Sequence, residues 1–257
     1  MLPHTKRILI VCGHYGSGKS EFSVSLAAEW AKANADNTSN ENSAFLQLFS
    51  EKKRASPYSA SASPPLAVVD LDIVNPYFRS REREALLASL GVPVYASMYK
   101  GHINAEIPAL GAEVRAPLEN PDTRVILDAG GNDAGANVLN QFRKYFTDGT
   151  STMACVVNFS RFETQTPGES ARQARAIESK TGLRCEYIIN NTHLLRETTA
   201  AGILKGHALA LETCEILGAQ LFCTTYPAGI VPPEELTEIE EYLFPVGLYL
   251  RETWHDR

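Results

Sequence analysis

The octapeptide at positions 13–20 constrains the fold of this chain more than any other stretch. It reads Gly-His-Tyr-Gly-Ser-Gly-Lys-Ser and matches the pattern G-x-x-x-x-G-K-[ST] of a phosphate-binding loop. An apolar run, Ile8 to Cys12, precedes the loop, and an amphipathic segment beginning at Glu21 follows it. The loop is therefore expected to join a buried strand to a helix, which is the context that such loops require.

The loop predicts a set of nucleotide contacts. Its glycines let backbone N–H groups converge on phosphate oxygens, and the start of the helix adds positive partial charge. Lys19 is expected to reach the outer phosphates, and Ser20 to offer its hydroxyl to a Mg²⁺ ion that ATP phosphates and water complete. The residues assigned here to nucleotide binding are Gly13, His14, Tyr15, Gly16, Ser17, Gly18, Lys19, Ser20 and Glu21.

The rest of the chain alternates between apolar runs and helical patterns. The predicted strands are Arg7 to Cys12, Leu66 to Asp70, Val92 to Ala96, Arg124 to Asp128, Thr152 to Phe159, Arg184 to Asn190 and Gln220 to Tyr226. The predicted helices are Gly18 to Ala33, Arg81 to Leu90, Asn137 to Phe146, Glu169 to Thr181, Thr199 to Leu217 and Pro233 to Leu243. This alternation predicts an α/β fold, a doubly wound and mostly parallel sheet with helices on both faces.

Residues 34–65 interrupt the alternation. They are dominated by Asn, Ser, Ala and Pro, a composition that cannot bury enough apolar surface to form a core. We expect a mobile surface insertion within a single nucleotide-binding domain that spans residues 1–257. The stretch from Ser97 to Pro121, rich in Gly and Pro, favours loops with at most one short helix.

The amino-acid composition limits which partners the protein could bind and in which cellular compartment it is expected. Lys and Arg total 24 against 30 Asp and Glu, a formal net charge of −6 that argues against electrostatic binding of nucleic acid. The five cysteines form no C-x-x-C pair and are typical of a reduced, cytoplasmic protein. The first strand begins too early to leave room for a signal peptide, and no apolar run approaches the ~20 residues of a membrane span.

Aspartates at the ends of two predicted strands are candidates for metal and water chemistry. Asp128 ends a strand and is followed by Ala-Gly-Gly, the form of a Walker B carboxylate that holds Mg²⁺ directly or through water. Side chains alternate along Asp70-Leu71-Asp72, and we assign Asp70 to the outer shell of the metal and Asp72 to orienting an attacking water. The alternative is that one of these two aspartates only caps a turn. Lys19 and Asp72 are thus the catalytic candidates, and Ser20, Asp70 and Asp128 the metal candidates.

These motifs together resemble one family. The loop, the Asp-x-Asp of the second strand and the Asp-Ala-Gly-Gly of the fourth are similar to those of the MinD/ParA group of P-loop NTPases, also described as CobQ/CobB/MinD/ParA nucleotide-binding domains. The likeness covers Arg7 to about Tyr226 without the insertion. It implies a doubly wound sheet and ATP-dependent dimers that hydrolyse ATP slowly and pass on a conformational state. The segment from Asp70 to Arg79 looks like the switch segment of such proteins.

One position departs from the family pattern. The signature lysine of the group aligns with His14, which can donate a hydrogen bond but does not carry a permanent charge near pH 7. The P-loop is therefore of the ordinary kind without the signature lysine. Arg79 or Arg81, just after the switch segment, is a candidate for the missing cation, in the same chain or across a dimer.

Base recognition is expected from the loops that follow later strands. Related nucleotidases place an Asn against the purine where this chain has Asn190 and Asn191, and Pro227 follows at the end of the next strand. The alternative for the Asn pair is a turn that closes the strand. The sequence contains no N-K-x-D pattern, which would favour guanine, so ATP is preferred over GTP.

The resulting hypothesis is a Mg²⁺-dependent ATP-binding protein that hydrolyses ATP as a conformational switch. It would act on an unidentified protein partner, with an ATP-dependent homodimer as one form of the switch. Two alternatives stay open. The first is a small-molecule kinase that transfers the γ-phosphate to a metabolite. The second is a low-turnover, ATP-dependent accessory protein for the maturation of metal or corrinoid enzymes.

Overall fold

The computed structural model of the chain describes residues 6–35, 65–72, 80–96, 112–131, 133–146 and 149–250. Most of the predicted insertion, residues 36–64, and most of the predicted switch segment, residues 73–79 with Arg79, lie outside the described residues.

Eight strands form one sheet in which every described pairing is parallel. Continuous apolar runs produce these strands because both of their faces are covered by helices. In chain order the strands are β1 (Ile8–Gly13), β2 (Leu66–Asp70), β3 (Val94–Ala96), β4 (Arg124–Asp128), β5 (Ser151–Val157), β6 (Cys185–Asn190), β7 (Gln220–Pro227) and β8 (Leu243–Val246).

The strand order places the phosphate-binding loop at a topological switch point. The order across the sheet is β3-β2-β4-β1-β5-β6-β7-β8, so the chain moves to one side of β1 first and to the other side after β4. In such sheets ligands bind outside the carboxyl ends of the strands, at the point where the winding reverses. The end of β1 is therefore the expected ligand site, with the ends of β4 and β5 on either side of it.

Helices cover both faces of the sheet. The helices are α1 (Lys19–Ala35), α2 (Glu84–Ser89), α3 (Ala112–Glu119), α4 (Asp133–Gln141), α5 (Pro167–Thr181) and α6 (Ala200–Leu217). Alternate residues of β1 enter two separate cores: Ile8 and Ile10 pack with residues of α3 to α6, and Leu9 and Val11 pack with residues of α1 and α2. The predicted α/β fold class, doubly wound with helices on both faces, is confirmed.

Three elements differ from the sequence expectation. The helix predicted from Asn137 to Phe146 is α4 followed by a 3₁₀ turn at Arg143–Tyr145, and the one predicted from Pro233 is a kinked 3₁₀ segment, Pro233–Tyr242. Strand β8 was not predicted, because it is short and contains Pro245. A proline is tolerated there because β8 pairs only with β7 and is therefore at the edge of the sheet. In the predicted loop region, α3 is the one helix found among the residues described.

Candidate functional site

The loop at positions 13–20 leaves β1 and turns directly into α1. Ser17 N donates to the His14 carbonyl at 3.1 Å, and Phe22 N donates to the Gly18 carbonyl at 2.9 Å in the first helical hydrogen bond. Because the first N–H groups of a helix lack partners within the helix, they are available to an anion held in the loop. The predicted strand-loop-helix context of the motif is therefore present.

Two glycines let other segments approach the loop closely. Gly18 has φ of +84°, and a Cβ there would overlap the side-chain amide of Asn191. A Cβ at Gly131 would overlap the carbonyl group of Gly13, so the Ala-Gly-Gly turn after β4 passes directly against the loop. The glycines that identified both motifs in the sequence are thus required by contacts between the motifs.

Asn191 fastens the loop to the sheet. Its Nδ2 donates to the Ser17 carbonyl at 2.7 Å, and its Oδ1 accepts a hydrogen bond from the Thr225 hydroxyl on β7. The side chain is 3% exposed, so both ends of the amide are used inside the protein. Asn191 therefore positions the loop, and a contact between its side chain and a base would require these hydrogen bonds to break.

The other two residues predicted to contact the base are also engaged with the protein. The Oδ1 of Asn190, which is fully buried, accepts from the Thr192 hydroxyl at 2.7 Å and from its N–H at 3.2 Å. The carbonyl of Pro227 accepts from Ile230 N and Val231 N in the turn after β7. The Asn190 side chain therefore stabilises the turn that follows β6. Contact of Asn190 or Pro227 with a base stays a prediction.

Lys19 and Asp72 form a buried ion pair. Lys19 Nζ lies 2.8 Å from Asp72 Oδ2, and the two side chains are 6% and 4% exposed. Burial alone would lower the pKa of Lys19, but the nearby carboxylates of Asp128, Asp72 and Asp70 hold that pKa above its usual value. The lysine is therefore charged, and the two predicted catalytic residues lie in direct contact.

Asp70 and Asp128 end neighbouring strands in register with each other. The Asp70 oxygens accept from two backbone groups, Asp72 N at 3.0 Å and Arg81 N at 3.3 Å. This geometry matches the turn-capping alternative, so the predicted metal role of Asp70 stays a prediction. Asp128 Oδ2 accepts from the hydroxyl of Ser80 at 2.6 Å.

Asp128 has a free oxygen suited to a cation. It is fully buried, and its Oδ1 has no hydrogen-bond partner among the residues that the structure describes. Burial raises its pKa, while the charge of Lys19 and the hydroxyls of Ser20 and Ser80 act in the opposite direction. An unpaired buried carboxylate oxygen beside the Ser20 hydroxyl fits the hard oxygen ligands that Mg²⁺ takes.

A Mg²⁺ ion held here would depend on the nucleotide for its other ligands. In the described part of the chain no three His, Cys, Asp or Glu side chains are grouped so that they could hold a metal by themselves. Mg²⁺ commonly binds through one or two protein groups and completes its shell with substrate phosphates and water. Asp128 and Ser20 therefore fit a metal that arrives with a nucleotide.

Three further residues of the loop were predicted to bind the nucleotide: His14, Tyr15 and Ser17. The Nδ1 of His14 lies 2.9 Å from the Tyr15 carbonyl, and the side chain of Tyr15 is 69% exposed. Ser17 is buried, and its hydroxyl has no hydrogen-bond partner among the described residues. The predicted phosphate contacts of these residues stay predictions.

Glu21 lies in the first turn of α1, but its carboxylate binds another part of the chain. Oε1 accepts from Tyr249 N at 2.6 Å and Oε2 accepts from Leu250 N at 3.0 Å. The predicted part of Glu21 in nucleotide binding stays a prediction. Burial raises the pKa of Glu21 to about 7, against the opposing effect of these hydrogen bonds and of Arg83.

This raised pKa gives a testable pH dependence of stability. The folded chain keeps the Glu21 proton to a higher pH than the unfolded chain, whose ordinary pKa is 4.5, so this contribution to stability is lost as pH rises towards about 7. The unfolding free energy of the parent should therefore fall by at most about 3 kcal/mol through Glu21 when the pH rises from about 5 to about 8. Glu21→Gln should not show this decrease, because its side chain does not titrate. Urea unfolding at the two pH values measures it.

The matched control for that experiment is Glu212→Gln, on an exposed position of α6. This variant should keep the pH dependence of the parent. An unchanged pH dependence in Glu21→Gln would show that Glu21 does not titrate in this range.

Three residues of the site were not predicted. Ser80 donates to Asp128, Asn158 joins the loops after β5 and β6, and Arg161 donates through Nε to the Gly16 carbonyl at 3.1 Å. The position of Asn158 directly after a buried strand is a signal that could have identified it. The two candidate arginines differ: Arg79 lies outside the described residues, and Arg81 reaches Asp70 through its backbone N–H.

Within the part of the chain that the structure describes, no helix combines the length and the apolar character needed to cross a bilayer.

The chain is similar to several solved structures of FtsY. One is the signal recognition particle receptor FtsY from Elizabethkingia anophelis in complex with GDP, with 14% identity, 85% of this chain and 57% of that chain covered, and a TM-score of 0.49. FtsY from Mycoplasma mycoides has 13% identity, coverage of 86% and 61%, and a TM-score of 0.48. The cell division protein FtsY from Thermotoga maritima has 17% identity, coverage of 93% and 69%, and a TM-score of 0.49.

The chain thus spans less than two thirds of the first two of these proteins, 57% and 61%. No protein-family model matches the sequence, and no curated protein is similar to it. The resemblance to the MinD/ParA group therefore stays a prediction carried by the motifs.

Proposed function

We propose that this chain is a Mg²⁺-dependent ATP-binding protein that hydrolyses ATP as a conformational switch acting on a protein partner. The observation that supports it best is the buried ion pair of Lys19 and Asp72, close to an Asp128 oxygen that has no hydrogen-bond partner among the described residues. Burying a charged side chain costs free energy of desolvation, so buried charges are rarely kept without a role. Clusters of such charges beside a ligand-binding loop are typical of functional sites.

The residues have distinct roles in this proposal. The N–H groups of the loop and the start of α1 bind phosphate oxygens. Lys19 exchanges Asp72 for the outer phosphates, which places the charge of the lysine where negative charge develops. Asp128 and Ser20 would hold Mg²⁺, which when bound would neutralise charge on the phosphate oxygens.

The exchange of Lys19 leaves Asp72 without its partner in the ion pair. Its carboxylate is then able to orient a water molecule for attack, the role assigned to it from the sequence. Asp72 N and Arg81 N lie on either side of residues 73–79 of the predicted switch segment, and both donate to the Asp70 carboxylate. A change at Asp72 would therefore reach the switch segment directly, which supports a conformational output.

Asp72→Asn tests this assignment. The variant loses the charge that holds Lys19 but keeps the size of the side chain. ATP affinity should be equal to or above that of the parent, while phosphate release should fall by about 100-fold or more, as expected for the loss of a catalytic carboxylate. Calorimetric titration with ATP and with GTP, followed by a phosphate-release assay in Mg²⁺, gives both quantities.

Asp122→Asn is the control, since Asp122 is exposed in the turn before β4 and should leave both quantities unchanged. Phosphate release by Asp72→Asn at the rate of the parent would contradict the role of Asp72. Transfer of phosphate from the parent to a metabolite faster than to water would instead support the kinase. Tight ATP binding by the parent with no release would support the low-turnover accessory protein.

A further inference from the structure

Arg161 lies against the outside of the phosphate-binding loop. Its Nε donates to the Gly16 carbonyl at 3.1 Å, although the two residues are 145 positions apart in the sequence. The central carbon of the guanidinium lies 3.5 Å from the position that a Cβ on Gly16 would take. A permanent positive charge is thus held at the rim of the loop by the loop's own backbone.

A compact turn after β5 fixes this arginine in place. The carbonyl of Asn158 accepts from Arg161 N at 3.1 Å and from the hydroxyl of Thr164 at 2.7 Å. Asn158 Oδ1 accepts from Ser160 N at 2.9 Å, and Asn158 Nδ2 donates to the His193 carbonyl at 3.3 Å. Asn158 is fully buried, so the backbone from which Arg161 projects is anchored to the neighbouring strand end.

The guanidinium group of Arg161 has N–H donors that could bind a ligand. Arg161 takes part in none of the ion pairs found between the described residues. With Nε bound to Gly16, the two terminal amino groups of the fork remain, and these match phosphate oxygens in a bidentate arrangement. The hydrogen bond to Gly16 thus orients the group and does not use up its binding capacity.

The charges of the described site residues favour a further cation. The carboxylates of Asp70, Asp72 and Asp128 lie near the buried lysine of the loop, Lys19. These four described residues together carry a net negative charge, which opposes the binding of a nucleoside triphosphate. A cation beside the loop raises the local electrostatic potential and so favours an anion held there.

We propose that Arg161 binds the terminal phosphate of the nucleotide from within the same chain. This assignment rests on the proposed ATP binding and deepens it. Because loop N–H groups of this kind hold the inner phosphates, a cation at the rim discriminates between ATP and ADP.

Arg161→Ala and Arg161→Lys test the assignment, with Arg172→Ala as the matched control on an exposed position of α5. Affinities for the β,γ-imido analogue of ATP and for ADP are measured by calorimetry in Mg²⁺. Arg161→Ala should lower the affinity for the analogue by about 10- to 100-fold, the effect of losing hydrogen bonds to a charged group, and that for ADP by less than about threefold. Arg161→Lys should restore part of the affinity for the analogue.

The outcomes separate this inference from the proposed function. Equal losses for both ligands in Arg161→Ala would show that Arg161 only positions the loop, and would overturn the phosphate contact. Affinities equal to those of Arg172→Ala would also overturn it, while ATP binding by the parent stands. A parent protein that binds neither ligand would overturn the inference together with the proposed function.

Discussion

Lys19→Ala is expected to lower the affinity for Mg²⁺ and ATP by about 100-fold or more, which corresponds to about 3 kcal/mol for the loss of a buried charged contact to phosphate. The lysine is only 5% exposed, so its charge is poorly screened by water and its contact to phosphate is correspondingly strong. Calorimetric titration of the parent and the variant gives the ratio of affinities.

The same variant should also unfold more easily. Without Lys19, the buried carboxylates of Asp72 and Asp128 lose the positive charge that offsets their mutual repulsion. Burial raises the pKa of Asp128, and protonation of that carboxyl group relieves the repulsion, so the loss of unfolding free energy should be smaller at acid pH than at neutral pH.

Lys32→Ala is the control for both effects. Lys32 lies on the same helix but is half-exposed and pairs with Glu29 at the surface. Surface pairs of this kind contribute at most about 1 kcal/mol, so this variant should bind ATP as the parent does. If Lys19→Ala also bound ATP with the affinity of the parent, the assignment of the loop to nucleotide binding would be wrong.

Asp128→Asn should remove most of the dependence of ATP binding on Mg²⁺. The asparagine keeps the size of the side chain and can still accept from the Ser80 hydroxyl, but it lacks the negative charge that a divalent cation needs. The increase in ATP affinity on adding Mg²⁺ should fall by about 10- to 100-fold, and phosphate release should fall with it.

The parent and Asp128→Asn are each titrated with ATP, once in Mg²⁺ and once in a chelator. The four ATP affinities obtained give the effect of Mg²⁺ on each protein. Affinity in the chelator should be unchanged or higher in the variant, because a negative charge next to the phosphates has been removed. Asp122→Asn serves as the control again and should keep the full Mg²⁺ effect. An undiminished Mg²⁺ effect in Asp128→Asn would exclude Asp128 as the metal ligand.

The sequence predicted the parts of this site that depend on local pattern. Buried strands of a parallel sheet are continuous apolar runs. A glycine-rich loop of this pattern between such a run and a helix is typical of phosphate binding. For this reason the positions of Lys19, Asp70, Asp72 and Asp128 at one edge of the sheet followed from the sequence, and the structure places them there.

The connections between those parts could not be predicted. Asn191 and Arg161 bind the loop from 174 and 145 positions away, and no periodicity in a sequence reports a partner at such a distance. Ser80 shows the same difficulty: nothing distinguishes it from other serines until the fold brings it within 2.6 Å of Asp128. The hydrogen bond from Asn191 to the loop could not be foreseen, because an Asn at a strand end fits a ligand, a turn or a neighbouring loop equally well.

The hydrogen bonds of Glu21 have a consequence for how the chain becomes active during synthesis. They join the first turn of the phosphate-binding helix to backbone groups 228 and 229 positions further on. Contacts between residues this far apart in sequence form late in folding, because closing the long intervening loop costs entropy before the contact can stabilise the chain. During synthesis on a ribosome, the N-terminal turn of α1 would gain these hydrogen bonds only after residues 249 and 250 have emerged, so a product truncated before them would carry the phosphate-binding motif without these two contacts.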